Sequence, residues 1–515
     1  MRWHVLATVL MMVLAGGVWG GWLWSAESKL SAAQAEVAAM GFAVTPAQAD
    51  DKFGLPTLPD ADNAGVQFKL MKPIAGAGVD TYRSSSYEAP TGYAYHHPYW
   101  PQWHAVNARA AADPRVQNAL ATLRSLRERN ARAASGQTLE DFFLNWNTPF
   151  NESRWLANTA CDLAALLLER GEFAEGLRYL QDAAYIPSVV LDYPGLVATL
   201  VAIGEEALWL SEATRSTPLL TPKVLADPAV RAEVEALLFM LIDPEANEAR
   251  TAALSRALEH EIAAGDLFLR RELAQVGPSA VAVGIDEVPQ HYRGNAAIIR
   301  WIESGFDPAV EPDLPDTPGD QFDRSAKSPT EAFHHSHSYP LYLSRIPESI
   351  KTIEFYRRAA AIGLATALFR ADHKERWPDG VEELVPRYLS AAPIDPFSPN
   401  RAAIELRMLA WPGGSPRPVL IGVGLDGEAD VSSKWIAGEV STVWPNGRPE
   451  EAVFDSLKHT EGNERNESSF NSTTDDVVRD LTFPPAELQA QSRIEERTKA
   501  GLDPDSDQDY EDDWE

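Results

Sequence analysis

The chain has 515 residues and 45% apolar side chains, enough for several domains and for real buried cores. Acidic residues outnumber basic ones 75 to 45, giving a formal net charge of −30, which repels phosphate backbones and argues against nucleic acid as a partner. The lone cysteine, Cys161, excludes an internal disulfide and lies in the apolar run LANTACDLAALLL, where it reads as a buried, inert thiol.

Residues 5–24, VLATVLMMVLAGGVWGGWLW, carry no charge. At about 1.5 Å per residue, some 20 residues cross the hydrocarbon layer, so the run predicts a single transmembrane helix. Trp19, Trp22 and Trp24 crowd one end, as interfacial indoles do. Arg2 and the amino terminus precede the run, while Glu27 and Lys29 after it cancel. The positive-inside rule then predicts a cell-membrane protein with its body on the extracytoplasmic side. The rival is a cleaved signal peptide, whose apolar core is shorter, about 7–15 residues. Gly16, Gly17, Gly20 and Gly21 form a tandem GxxxG pattern, a face through which two such helices can form a homodimer.

Beyond the anchor, SAESKLSAAQAEVAAMG keeps helical spacing and predicts a spur, closing a first unit at residues 1–42. Residues 43–101 are rich in proline, glycine and aspartate and read as irregular, extended chain. Residues 102–305 read as a helical domain, with apolar residues recurring at three and four in VQNALATLRSLRERN and LVATLVAIGEEALWLSEA. Asp113–Pro114, Asp227–Pro228 and Asp243–Pro244 have the form of a cap followed by a first-turn proline. Within this region Ala164, Leu167, Gly171, Phe173, Gly176, Leu180 and Ala183 resemble the packing positions of a tetratricopeptide hairpin, with Gly171 at its turn. No second copy follows at about 34 residues, so one hairpin is expected rather than an array.

Residues 306–346 read as a linker. The next unit, 347–445, opens with a helix from about Ser349 to Ala371 and a short helix in DGVEELVPRYL. It continues with a β-hairpin from IELRML and PVLIGVG. Residues 446–515 are polar and end in DPDSDQDYEDDWE, which predicts a disordered acidic tail. The expected fold class is therefore mainly α. It comprises a transmembrane helix, an irregular helical domain, a small α+β module with a hairpin, and the tail.

The 347–445 unit resembles the globular end of type II secretion major pseudopilins. The resemblance rests on Pro378, Leu384, Pro386, Pro393, Asp395, Pro396, Phe397, Gly424, Asp426 and Gly427. The wider layout, with Asp62, Asn63 and Ala64, resembles uncharacterised single-pass membrane-anchored proteins of planctomycete-type bacteria. The pseudopilin resemblance implies a calcium-binding loop after the hairpin, here through Asp426 and Asp430. Pilin processing and polymerisation are not implied. Gly41–Phe42 is followed by AVTPAQADD, which is polar and cannot span a bilayer.

Catalytic motifs fail on inspection. GVGLDG at 422–427 fits G-x-G-x-x-G but opens no helix in a βαβ unit. His260–Glu261 begins a zinc-protease pattern that ends on Ala264. Asp503, Asp505 and Asp507 begin a calcium loop whose glycine and glutamate positions hold Gln508 and Trp514. Two histidine clusters remain: His96, His97 and His104 beside Tyr99, Trp100 and Trp103, and His334, His335 and His337. Converging in space, they could hold zinc or line a groove. Apart, they are ordinary loop packing. The expected function is thus a non-catalytic extracytoplasmic scaffold or interaction protein. The alternative is an envelope hydrolase or metal-dependent enzyme built on these loops.

Overall fold

The computed structural model describes residues 25, 28–53, 58–71, 101–133, 138–145, 148–276, 292–312, 346–409, 417–423 and 477–480. The structure is mainly helical, as expected. The spur is helix α1, residues 28–39. Two short helices follow, α2 (Pro46–Phe53) and α3 (Ala64–Leu70). They stand where the sequence predicts extended chain. Neither is long enough to show amphipathic periodicity, and each forms because it is held by distant parts of the chain. Asn63 caps α3, accepting from Gly65 N and Val66 N, and Phe68 on α3 is fully buried.

The body contains α4 (Pro101–Ala112), α5 (Pro114–Glu128), α6 (Leu139–Asn145), α7 (Phe150–Glu169), α8 (Phe173–Val190), α9 (Leu196–Ser216), α10 (Pro228–Ile242), α11 (Pro244–Val276) and α12, residues 292–303. Asp113 and Asp227 cap their helices as read, accepting from Arg115 N and Ala229 N, with proline in each first turn. The predicted hairpin is α7–α8. Gly171 closes its turn with φ 81°, and a side chain at Gly176 would meet Ala164 O and Leu168 of the facing helix. The two helices can approach only because Ala164, Leu180 and Ala183 are small or fully inserted, each at 0% exposure. Helix α9 packs on both members of the hairpin, α10 on α8, and α2 and α9 on α11.

The long C-terminal helix, α13, runs Ile346–Asp372, three residues earlier and one later than read. It lies against α9 and α10 and is buried on nearly every side; Ile350, Phe355, Ala359 and Ile362 are all at 0%. Its core is continuous with that of the helical body. The chain then makes a 3₁₀ turn at Val381–Leu384 in place of the predicted short helix, with Val385–Pro386 cis. Pro386 lacks the N–H that a further helical turn would use.

The hairpin is β1 (Glu405–Leu409) against β2 (Arg417–Gly422), antiparallel, with Leu406 opposite Leu420. A third strand, β3 (Val477–Asp480), pairs antiparallel with the other edge of β2, placing Ile421 opposite Val478. Within the stretch 446–515, expected to be a disordered tail, residues 477–480 therefore form a strand. A Val-Val pair, favoured in strands, meets an open row of β2 backbone groups, and pairing satisfies both. Among the described residues no helix is long and apolar enough to cross a membrane, and the apolar run 5–24 lies outside them.

Candidate functional site

Asp426 and Asp430 lie outside the described residues, as do His96, His97, His334, His335 and His337, the glycines of the GxxxG face, and the acidic end. His104 falls on helix α4 rather than in a loop. Cys161 is buried at 1%, as read. Among the described residues no group of three or more His, Cys, Asp or Glu is placed to hold a metal ion.

The structure instead brings together charged groups that the sequence did not single out. Where α9, α11 and α13 meet, Arg250 Nε donates to Glu206 Oε2 at 2.9 Å and Nη1 to Glu354 Oε1 at 2.5 Å. Arg357 Nη1 donates to Glu206 Oε1 at 2.9 Å, and its Nη2 to Asn247 Oδ1 at 2.6 Å and Met240 O at 3.1 Å. Arg358 adds Glu354 Oε2 at 3.4 Å and reaches Ile394 O at 2.6 Å. Burial works against charge on Glu354, but Arg250, Arg358 and Arg357 outweigh it and hold the carboxyl below its usual range. A general acid or base needs an exchangeable proton near substrate. Glu354 is thus held as the carboxylate, and it and Glu206 are shared between arginines and closed off, so their work is to tie three helices together.

A second set fixes the hairpin module. Asp395 is 2% exposed. Its Oδ1 accepts from Phe397 N at 2.9 Å and its Oδ2 from Val423 N at 2.7 Å, joining the Pro393–Phe397 turn to the end of β2. In the sequence the same residue stands out only as one of those that carry the pseudopilin resemblance. Gly422 beside it is hemmed by the Phe355 ring and by Asp395 Oδ2, leaving no room for a side chain.

A third set docks the N-terminal arm, residues 28–53, on the body. Leu30, Ala33 and Val37 of α1 are buried. Gln34 Nε2 donates to Tyr292 Oη at 3.2 Å, and Arg293 pairs with Glu36 at 2.8 Å. Further along, Glu259 of α11 accepts from Ala43 N at 2.6 Å and from Lys52 Nζ at 2.7 Å. Phe53 meets the ring of His260 edge-on, with centroids 5.0 Å apart. Asp50 Oδ1 accepts from Leu139 N at 2.9 Å, which ties α2 to α6. His260 and Glu261 are 2% exposed, so the broken zinc-protease pattern sits in the core of this joint.

Two carboxylates link segments elsewhere in the same manner. Asp192 pairs with Arg132 and accepts from Ala133 N at 2.9 Å. Asp372 accepts from Arg231 at 2.9 Å, Arg387 at 2.6 Å and Tyr388 Oη at 2.7 Å, and these bonds hold its carboxyl down at about 2 despite some burial.

Neither a family model, nor a curated protein, nor a solved structure matches this chain.

Proposed function

We propose that the chain is a single-pass membrane-anchored scaffold, with its body on the extracytoplasmic side and no catalytic role. The observation that carries this reading is the docked spur. Helix α1 begins at residue 28, only four residues past Trp24, and is packed on the body along its buried side. A membrane helix at 5–24 would therefore lead straight into the body, about 6 Å away at 1.5 Å per residue. That arrangement suits a protein that presents a fixed surface at a membrane better than one that searches on a flexible tether. The engagement of Glu206, Glu354, Asp192 and Asp372 by arginines supports the same reading, because these four carboxylates tie separate segments of the body together.

The pseudopilin-like reading of the C-terminal unit enters here as a proposal. Its support is the sequence of long helix, proline step, Asp395 turn and antiparallel hairpin. Calcium at Asp426 and Asp430 is proposed with it, completed by backbone carbonyls, since calcium takes six to eight oxygens.

The anchor is tested by alkaline carbonate extraction and by protease added to intact cells. The protein should stay with the membrane fraction, and the protease should digest the body. Release of a soluble form starting near Gly21 would overturn the anchor. A hydrolytic activity of the purified chain that is lost in His97→Ala or His335→Ala would overturn the scaffold reading in favour of the enzyme.

A further inference from the structure

We propose that the docking of the N-terminal arm on α11 is an acid-sensitive latch, with His260 as the group that takes up the proton. The latch is the joint of residues 43–53 with α11. Glu259 holds the Ala43 amide and the Lys52 ammonium, and Phe53 covers the imidazole of the next residue. His260 is 2% exposed, and its Nδ1 is buried without a hydrogen-bond partner among the described residues. An imidazole so placed is tolerated while neutral. Protonated, it would be a buried cation whose Nδ1–H has no acceptor, which is costly.

The charged groups around it give no relief. Helix α11 itself carries Arg256 one turn before His260, paired with Asp192 at 3.5 Å, and Glu259 and Glu261 beside it, while the packed helix α9 carries Glu205, Glu206 and Glu212. Glu259 is already committed to Ala43 N and Lys52. From α2 come Lys52, whose ammonium lies 5.2 Å from the Phe53 ring, Asp51, and Asp50, which accepts from Leu139 N. Helix α6 contributes Glu140 and Asp141. None of these makes a hydrogen bond to His260. Burial, and then the positive charge of Arg256, hold the imidazole down at about 3, against 6.5 for an ordinary histidine.

Because the docked histidine binds a proton more weakly than a released one, it does not oppose docking above about pH 6.5, and docking weakens as pH falls below it. The docking equilibrium loses about tenfold per pH unit until the docked histidine itself titrates. The release follows from the described residues alone. That it would loosen the hold of the body on a membrane rests on the anchoring proposed above.

The test is hydrogen–deuterium exchange of the full-length chain in detergent micelles, read on peptides covering residues 43–53 and corrected for intrinsic rates. Opening should rise about tenfold between pH 6.0 and 5.0, while amides of α8 stay protected. In His260→Phe, which keeps an aromatic ring against Phe53, the rise should shrink below about twofold. An unchanged rise in that variant would overturn the latch. Exchange of the imidazole C2 hydrogen in the unmutated chain gives a reading that needs no variant to fold. Titration of His260 near 6.5 there would also overturn it, and titration well below 5 would support it. Carbonate extraction of the same variant reports on the anchor separately, since the latch lies outside residues 5–24.

Discussion

The central helix α13 and the N-terminal arm are both fastened to the body by charged groups, but at different depths. Around α13, Arg250, Glu206, Glu354 and Arg357 are between 6% and 11% exposed, and their bonds, with the backbone of α13 between Glu354 and Arg357, make a ring across three helices. At the arm, Glu259 is equally buried, yet its cation, Lys52, is 42% exposed and reaches in from the rim. The difference teaches where a lost charge is felt. In the ring, removing one partner strands another in low dielectric, and the helices cannot part without unfolding the core. At the rim, water can replace the lost partner, and the arm can lift while the body stays folded.

The largest effect should come from Arg250→Leu. It leaves Glu206 and Glu354 each short of a partner inside the core, and the expected loss is about 3–5 kcal/mol of global stability. Chemical denaturation of the full chain measures this. A loss below about 1 kcal/mol would erase the contrast between ring and rim.

Asp395→Ala should come next. It removes two acceptors from buried backbone amides at the junction of turn and hairpin, at about 2–3 kcal/mol. The change should appear as lost exchange protection in β1 and β2 before α8 is affected.

Glu259→Ala should be smaller and local. Protection in residues 43–53 should fall by about 1–2 kcal/mol, while the global denaturation midpoint moves little. A coincident fall everywhere would mean that the arm and body unfold as one unit.

Much of the frame was legible because it rests on local chemistry. The Asp-Pro caps, the Gly171 turn and the two strands each announce themselves within a few residues. Helices α2 and α3 were not legible, because they depend on partners far along the chain, such as Glu259 for Lys52, Leu139 for Asp50 and the Arg132 carbonyl for Ala64 N. The ring around Arg250 was hidden for the same reason, although a trace of it stood in the chain. GEEALWL places two glutamates inside an apolar helix, and IEFYRRAAA places two arginines inside another, and each pair needs a buried partner of the other sign. Helix α13 looked like the opening of a separate module because its apolar residues suit a hairpin. Its full-circumference burial between α9 and α10 could be known only with those helices in place.

That burial bears on the calcium proposal, because a module cut out at residue 347 would lose the partners of α13. Calcium must therefore be tested on the whole chain. Millimolar calcium should raise the melting temperature by a few degrees through mass action, and Asp426→Ala should abolish the rise. An unchanged melting temperature would leave the loop a structural turn.

The smallest effect is expected at the acidic end. Truncation after residue 490 removes DPDSDQDYEDDWE but keeps β3, which ends at Asp480 and supplies the outer strand beside β2. A block of like charges repels itself and gains little from folding, so the melting temperature should change by less than about 1 °C. Truncation after residue 470 removes β3 as well. It uncovers the β2 edge at Val419–Gly422, where four residue pairs now meet, and should lower stability measurably. The pair of truncations sharpens the contrast drawn above, since only the segment that joins the fold should matter. If the shorter cut already lowers the melting temperature by several degrees, the acidic end is docked, and the exposed arginines of the body become the surface to search.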